Sequence, residues 1–308
     1  MNFYKILNEE ECHYGLQYKT GLNIDPIEFN PSGDCQPGGI YFAKENILAF
    51  LHVGHWIRKV TIPEDAQIYE NPGEPKKWKA DKIILGEREE INLKVIKRLI
   101  DEGANPKIGN NYPLKWAATS GHIEIVKFLF PFSNSKTSNS TALKSAALRG
   151  HLEIVKFLLP VSNPKANNSA ALRYAAWFGH LEIVKLLIPV SDSKAQNSEA
   201  LRWAAENGYT EIVKLLIPVS DIKANNSEAL RLAIHYNHID TFKILISYLN
   251  VKIYNIDLLK LAIYKNHLEI IKILIPLSEI NDEIINYCET HCKNQEIINL
   301  MIIADKSI

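Results

Sequence analysis

Six copies of one 29-residue pattern fill most of this chain and constrain its fold more than any other feature. Gly121, Gly150, Gly179 and Gly208 recur at that step, and Asn237 and Asn266 continue the series. Lys127, Lys156, Lys185, Lys214, Lys243 and Lys272 hold the same register. So do Leu114, Leu143, Leu172, Leu201, Leu230 and Leu259, and Ala117, Ala146, Ala175, Ala204, Ala233 and Ala262. Four series in phase over six periods define a repeat array, whose units shield their apolar faces by stacking on neighbours.

Each unit reads as two short helices. In the copy from Ser198 to Ser227, Ser198 is the expected N-cap of a helix beginning Glu199-Ala200-Leu201-Arg202-Trp203-Ala204-Ala205, with Glu199 at the positive end of the helix dipole. Gly208 ends that helix at a position tolerant of positive φ. Glu211-Ile212-Val213-Lys214-Leu215-Leu216-Ile217 forms a second helix, apolar on most sides, which Pro218 stops because proline cannot extend the backbone ladder. Equivalent prolines stand at Pro131, Pro160, Pro189 and Pro276, and Ser247 is the exception. The alanine pair lets neighbouring helices approach closely.

The run Ala146-Ala147-Leu148-Arg149-Gly150-His151-Leu152-Glu153-Ile154-Val155-Lys156-Phe157-Leu158-Leu159, repeated at Ala175 to Ile188, resembles the core of the ankyrin repeat. Asp101-Glu102-Gly103-Ala104-Asn105 is similar to that family's turn after a second helix. The resemblance covers roughly residues 91–305. Two departures matter. The family's Thr-Pro-Leu-His opening is replaced by Ala-Leu-Lys or Ala-Leu-Arg, except at Tyr112-Pro113-Leu114-Lys115. The period is 29 residues where the family's is about 33, and the missing residues fall where the β-hairpin finger belongs. The resemblance therefore implies shortened or absent fingers and a binding surface moved toward the first helices. As a whole the chain also resembles the paralogous ankyrin-repeat proteins of giant amoeba-infecting DNA viruses.

Composition agrees with a globular protein. Of the residues 46% are hydrophobic, and 35 Lys and Arg balance 35 Asp and Glu. The balance hides a split: residues 1–90 carry 10 basic and 15 acidic side chains, leaving 25 and 20 for the remainder. No stretch of about eighteen apolar residues suggests a membrane span. The start MNFYKILNEEECHYG lacks the basic and apolar regions of a secretory signal, and four cysteines do not form a disulfide framework. The expectation is an intracellular protein acting in the cytoplasm of a host cell, not secreted and not in a membrane.

Residues 1–86 are rich in turn dipeptides and read as a small α+β leader. Its expected strands are Phe3 to Leu7, Gly39 to Ala43, Ile57 to Ile62 and Ala80 to Leu85, with a helix at Lys44 to Leu51. The array occupies 87–308, with a partial opening unit at 87–110, six repeats over about 111–281 and a degenerate closing pair at 282–308. The fold class is thus mostly α: an ankyrin-like α-solenoid of helix-turn-helix units behind a small α+β domain.

Recognition is expected at the two free positions between each alanine pair and the glycine. They read Thr119-Ser120, Leu148-Arg149, Trp177-Phe178, Glu206-Asn207, His235-Tyr236 and Tyr264-Lys265, varying while their flanks repeat. A fixed frame with a varied surface suits a protein partner, and aromatic residues are enriched where binding energy concentrates. Trp116, Tyr174 and Trp203, three or so residues earlier, are expected in the core between repeats. Lys115, Lys144, Arg173, Arg202, Arg231 and Lys260 form a basic line that intrahelical pairs such as Glu199–Arg202 and Glu228–Arg231 neutralise, so nucleic acid is not the expected partner.

Other chemistry is thinly represented. Gly38-Gly39-Ile40-Tyr41-Phe42-Ala43 before a helix is similar to the second motif of ADP-ribosyltransferase folds. The alternative function is therefore a degenerate transferase-like leader, with Tyr4 and Lys5 on the first strand, Asp81 on a late one, and the array recruiting its target. His52 and His55, completed by Cys12, His13 or Cys35, offer a metal set; Cys288, His291 and Cys292 offer another. Both are read as ordinary packing residues, since neither has zinc-site spacing. No cofactor, no metal and no enzymatic activity are expected, and the chain is expected to be a monomer.

Overall fold

Burial along Phe3–Leu7 has no two-residue alternation, because covered strands and turns flank both faces of this segment. It is β1 of an antiparallel sheet that also contains β4 (Gly21–Ile24), β6 (Trp56–Thr61), β9 (Lys82–Leu85) and β10 (Glu89–Glu90). The order is β1-β6-β9-β4, with β10 also pairing β6 and Tyr4 opposite Lys59 in the register. A three-stranded sheet, β5 (Ile40–Phe42), β8 (Trp78–Ala80) and β7 (Ile68–Glu70), joins it through reciprocal backbone bonds between Tyr4 and Ala43 at 2.8 and 2.9 Å. β2 (Cys12–His13) and β3 (Leu16–Gln17) form a small hairpin. Leu7, Tyr18, Ile40, Phe42, Val60, Ala80, Ile83 and Leu85 make the core between them. This computed structural model describes residues 2–32, 36–133, 136–249 and 255–305. Cys35, considered above as a metal ligand, lies outside the described residues, as do the last three residues of the closing segment.

The leader holds one expensive feature. Arg58, 6% exposed, clasps the carboxylate of Glu11 through Nη2 at 2.8 Å and Nε at 3.3 Å. Its remaining nitrogen donates to Thr20 Oγ1 and the Gly86 carbonyl at 2.9 and 2.8 Å, so the buried charge is satisfied on every side. The expected helix at Lys44 to Leu51 is a correction: only a 3₁₀ turn, Ile47–Phe50, forms there.

Contacts divide the chain into two compact units, Met1–Ala146 and Ala147–Ile308. In the first, Asn92 caps α1 (Leu93–Asp101), its side chain accepting from the Lys94 and Val95 N–H groups. α1 binds the leader directly: Arg98 forms a two-pronged bond to Glu89 at 2.7 Å, and Tyr4 donates to Glu102. The hairpin of α2 (Ile108–Thr119) and α3 (Ile123–Leu129) follows, and α4 (Lys136–Arg149) crosses the division.

The second unit continues with α5 (Leu152–Leu158) and the pairs α6 (Ala166–Trp177) and α7 (Leu181–Leu187), α8 (Ala195–Glu206) and α9 (Thr210–Leu216), and α10 (Ala224–His235) and α11 (Ile239–Tyr248). It ends with α12 (Asn255–Tyr264) and α13 (Leu268–Leu274), then α14 (Asp282–His291) and α15 (Gln295–Asp305). First helices pack on first helices and second on second. The repeated Leu172, Leu201, Leu230 and Leu259 and the repeated alanines are almost wholly buried between them. A seven-residue helix has no stability alone in water, so this packing is what holds each one. Proline does not end the second helix abruptly. It tightens the last turn into a 3₁₀ form, as at Ile217–Val219, and where Ser247 replaces it the α-helix runs on to Tyr248.

No strand occurs among the described residues from Ile91 onward, so the fingers are absent from the described turns. Their place is taken by an Asx turn, in which Asp192 Oδ1 accepts from the Lys194 N–H at 3.0 Å, and by three residues in left-handed conformation. These are Gln196, Asn197 and Ser198 (φ 53°, 56° and 56°), with Asn167-Asn168-Ser169 and Asn225-Asn226-Ser227 as copies. Asparagine tolerates this region better than most residues. Ser198 is therefore not the N-cap expected of it; its hydroxyl accepts the Asp221 N–H from the turn at the far end of the same copy at 2.8 Å, as Ser169 does for Asp192.

The recurring glycine serves two purposes. At Gly179 φ is +77°, and a Cβ there would lie 2.7 Å from the Tyr209 ring of the next unit. His180 sits over Gly150 in the same way and bonds the Leu148 carbonyl through Nε2 at 3.1 Å. His238 does so with the Glu206 carbonyl at 2.9 Å. The ring that follows the recurring glycine or asparagine, as at His180, Tyr209 and His238, is thus a rivet between units.

Candidate functional site

The free pairs lie at the C-terminal ends of first helices, where one repeated backbone position fixes where each side chain starts. Phe178 is 47% exposed, Tyr236 49% and Tyr264 62%. Arg149 and His235 are exposed too, while Leu148, Trp177, Glu206, Asn207 and Lys265 are half-buried. The second member of the pair stacks loosely on the rivet ring below it: Phe178 on His180 and Tyr236 on His238, with centroids 6.4 and 6.3 Å apart. Trp177 is placed differently. Its ring meets Trp203 edge-on at 4.8 Å, so much of it belongs to the packing between α6 and α8. Asn207 is also partly committed, donating to the Trp203 carbonyl at 2.9 Å. Of the framework aromatics Trp116 is buried, whereas Tyr174 and Trp203 are half-buried and face each other at 5.8 Å.

The basic line is more ordered than intrahelical pairing implies. Arg173 binds Glu199 of the next unit, and Arg202 binds Glu228 at 2.8 Å, whereas Arg202 and Glu199 of one helix are 3.9 Å apart. The same guanidiniums donate to the carbonyls of the left-handed turns, Arg173 to Asn167 and Asn168 and Arg202 to Gln196 and Asn197. Each arginine thereby satisfies the turn of its own unit and ties it to the next. The signal in sequence is a spacing of 26 residues, one period less a helical turn. At Arg231 that spacing reaches Asp257, one methylene shorter, and no ion pair joins them. Arg231 is exposed and makes no hydrogen bond or ion pair among the described residues. It borders a groove of about 440 Å³ with Leu232, His235, Tyr236 and Leu261, which Asn225 and Glu228 also line, the Glu228 carboxylate being taken up by Arg202, and Lys265 Nζ stands 3.3 Å from His235 Nε2. Lys260, further along, is held by Glu283 at 2.6 Å.

Glu–Lys pairs one turn apart on the second helices, such as Lys185 with Glu182 at 2.6 Å, are largely exposed, and each contributes a few tenths of a kcal/mol at most. Among the described residues no three His, Cys, Asp or Glu side chains are placed to hold a metal. His52 faces the Tyr112 ring at 6.0 Å. His291 stacks on Tyr287 at 4.1 Å, and Cys288 is buried, which pushes its thiol up to about 11. Of the residues that the transferase resemblance singles out, Tyr4, Lys5 and Tyr41 line one cavity and Asp81 does not. The Asp81 carboxylate accepts from the Gln67 N–H at 2.8 Å.

The family profile for ankyrin repeats in three copies matches residues 88–170, 131–200, 172–258 and 201–286. A protein of Acanthamoeba polyphaga mimivirus named as an ankyrin repeat protein is 38% identical over 142 residues, covering 41% of this chain and 46% of the relative. An uncharacterized protein of the same virus is 40% identical over 129 residues, covering 40% of this chain and 94% of its own length. A third, also named as an ankyrin repeat protein, is 36% identical over 135 residues, covering 41% of this chain and 65% of itself. The match thus spans about half of the first relative and two thirds of the third. No helix among the described residues is long and apolar enough to cross a membrane.

Proposed function

The chain belongs to the ankyrin-repeat family, and from that premise we propose that it is a non-catalytic scaffold that captures a protein partner on the exposed ends of its first helices. The observation that carries this reading is that Phe178 and Tyr236 stand at one repeated position, with Tyr264 at the other position of its pair, and that all three rings are about half or more exposed. Large apolar rings are left in water there by a frame that buries most of its other apolar residues. Leu148, Arg149, Trp177, Glu206, Asn207, His235 and Lys265 complete the surface. One copy of the chain is the binding unit, the leader at 1–86 and the array at 87–308 are its functional parts, and it works in the cytoplasm of a host cell. The reduced thiols of Cys12, Cys288 and Cys292 suit that compartment.

The groove at Arg231 sets the partner's character. Arg173 and Arg202 have carboxylates of their own, whereas Arg231 offers an unneutralised guanidinium beside an aromatic pair and Lys265. A glutamate or aspartate of the partner completes there the ladder that Asp257 is too short to finish. The test uses the full chain to recover its partner from an amoeba lysate and then measures affinity. Arg231→Ala weakens binding about tenfold, on the order of 1.4 kcal/mol, and flattens its salt dependence. Lys185→Ala, on a second helix outside this surface, changes it little. Equal effects of the two substitutions would overturn the acidic-partner reading.

A further inference from the structure

The leader contains a cavity that the partner-binding reading does not use. It measures about 420 Å³, within the range of roughly 300–1,000 Å³ in which proteins enclose small molecules. Phe42, Ile47, Phe50, Val53 and Pro75 supply apolar wall, and Lys5 on β1 lies among them. Lys5 is only 7% exposed. Its ammonium donates one hydrogen bond, to the Tyr41 carbonyl at 2.8 Å, and stands over the Tyr18 ring at 4.6 Å. No carboxylate pairs with it among the described residues. Asp25, which acts on Tyr18 and His13 beside it, is spent on the Ile27 and Gly39 N–H groups at 2.9 and 2.7 Å.

A buried lysine without a counterion is costly, and such residues persist where something outside the fold neutralises them. We propose that this cavity binds a small organic acid, its apolar body against Phe42, Phe50 and Ile47 and its carboxylate on the Lys5 ammonium. One lysine with two donors to spare matches a single carboxylate. The lining's other lysine, Lys77, is half-buried and stands over the Tyr41 ring at 5.2 Å, so the buried end of the cavity presents one ammonium, which suits a carboxylate better than a doubly charged phosphate. Burial pushes the Lys5 amine down to about 7, so in the empty protein the proton is lost as pH rises through neutrality. A bound carboxylate holds that proton on. Affinity is therefore full below pH 7 and falls above it. The other titratable groups around the cavity are Tyr4, Cys12, His13, Tyr18, Tyr41, His52 and Lys77, none of them an acid able to replace the ligand. Burial raises Tyr18 and lowers His13, so both are neutral when Lys5 titrates.

Calorimetric titration of the full chain with octanoate and with octanamide tests this. Octanoate binds at pH 6.5 at least tenfold more tightly than octanamide, and its affinity drops about tenfold or more by pH 9 while that of octanamide stays constant. In Lys5→Met, whose folding is checked by thermal unfolding at both pH values, octanoate loses its advantage over octanamide. Lys5→Arg, which keeps the charge, retains the preference and loses the pH dependence. Failure of octanoate to bind, equal binding of the two probes, or a preference that survives in Lys5→Met overturns the proposal. None of these results bears on capture of the protein partner by the array.

Discussion

Arg58→Met destabilises the protein by about 3–5 kcal/mol, because it leaves the Glu11 carboxylate buried without its partner. Glu11 is 6% exposed, and its other basic neighbour, Arg88, is 3.7 Å away and drawn over the Trp56 ring at 3.8 Å. Adding Glu11→Leu recovers at least half of the loss, since a pair of apolar side chains carries no desolvation penalty. The recovery is incomplete because the Gly86 carbonyl and Thr20 hydroxyl remain without the Arg58 nitrogen. Urea unfolding of the two variants and of Lys185→Ala measures this. Lys185 is half exposed and its loss costs no more than about 0.5 kcal/mol. If Arg58→Met and Lys185→Ala cost the same, the buried pair does not anchor the leader.

Phe178→Ala with Tyr236→Ala lowers partner affinity a hundredfold or more while unfolding changes by less than about 1 kcal/mol. Aromatic anchors at the centre of an interface are each worth about 2 kcal/mol or more on truncation. Substitutions at surface positions that touch little else stay within about half a kcal/mol of neutral. Phe178 stacks loosely on His180, and Tyr236 on His238 with a further edge-on contact to the exposed His235 ring at 4.7 Å. Trp177→Ala is a poorer probe, because its edge-on contact with Trp203 makes loss of affinity inseparable from loss of packing. Titration calorimetry and thermal unfolding on the same preparations separate binding from folding. A double variant that binds like the parent would remove these residues from the interface.

The array was legible because its physics is periodic. A leucine, two alanines and an apolar second helix recurring every 29 residues leave a helical stack as the one way to cover them. What repeated visibly but was misassigned concerns contacts distant in the chain, which a one-dimensional reading attributes to the nearest neighbours. Ser198 has the chemistry of an N-cap yet serves Asp221, and Glu199 lies three residues from Arg202 yet is held by Arg173. The left-handed turns were hidden for a related reason: asparagine in a polar stretch marks a turn without stating its hand. The leader was read less fully. β1, β5, β6 and β9 announce themselves through apolar runs, whereas strands of two or three residues such as Cys12–His13 and Ile68–Glu70 exist only through their partners. The segment at Lys44 to Leu51 has helix-forming residues in too short a space, and tertiary packing reduces it to a 3₁₀ turn. Within the candidate surface, exposure separates Phe178 and Tyr236 from Trp177, a distinction that adjacent aromatic letters cannot make.

Photo-crosslinking tests the binding face most directly. A benzophenone amino acid is placed singly at Phe178, Tyr236 and Tyr264, at Lys185 and Lys214 on the second helices, and at Leu22 in the leader, and each full-length chain is irradiated in amoeba lysate. The account predicts one shared adduct from the first three positions, competed away by excess unmodified chain, and none from the other three. Adducts of that partner confined to Lys185, Lys214 or Leu22 would contradict it.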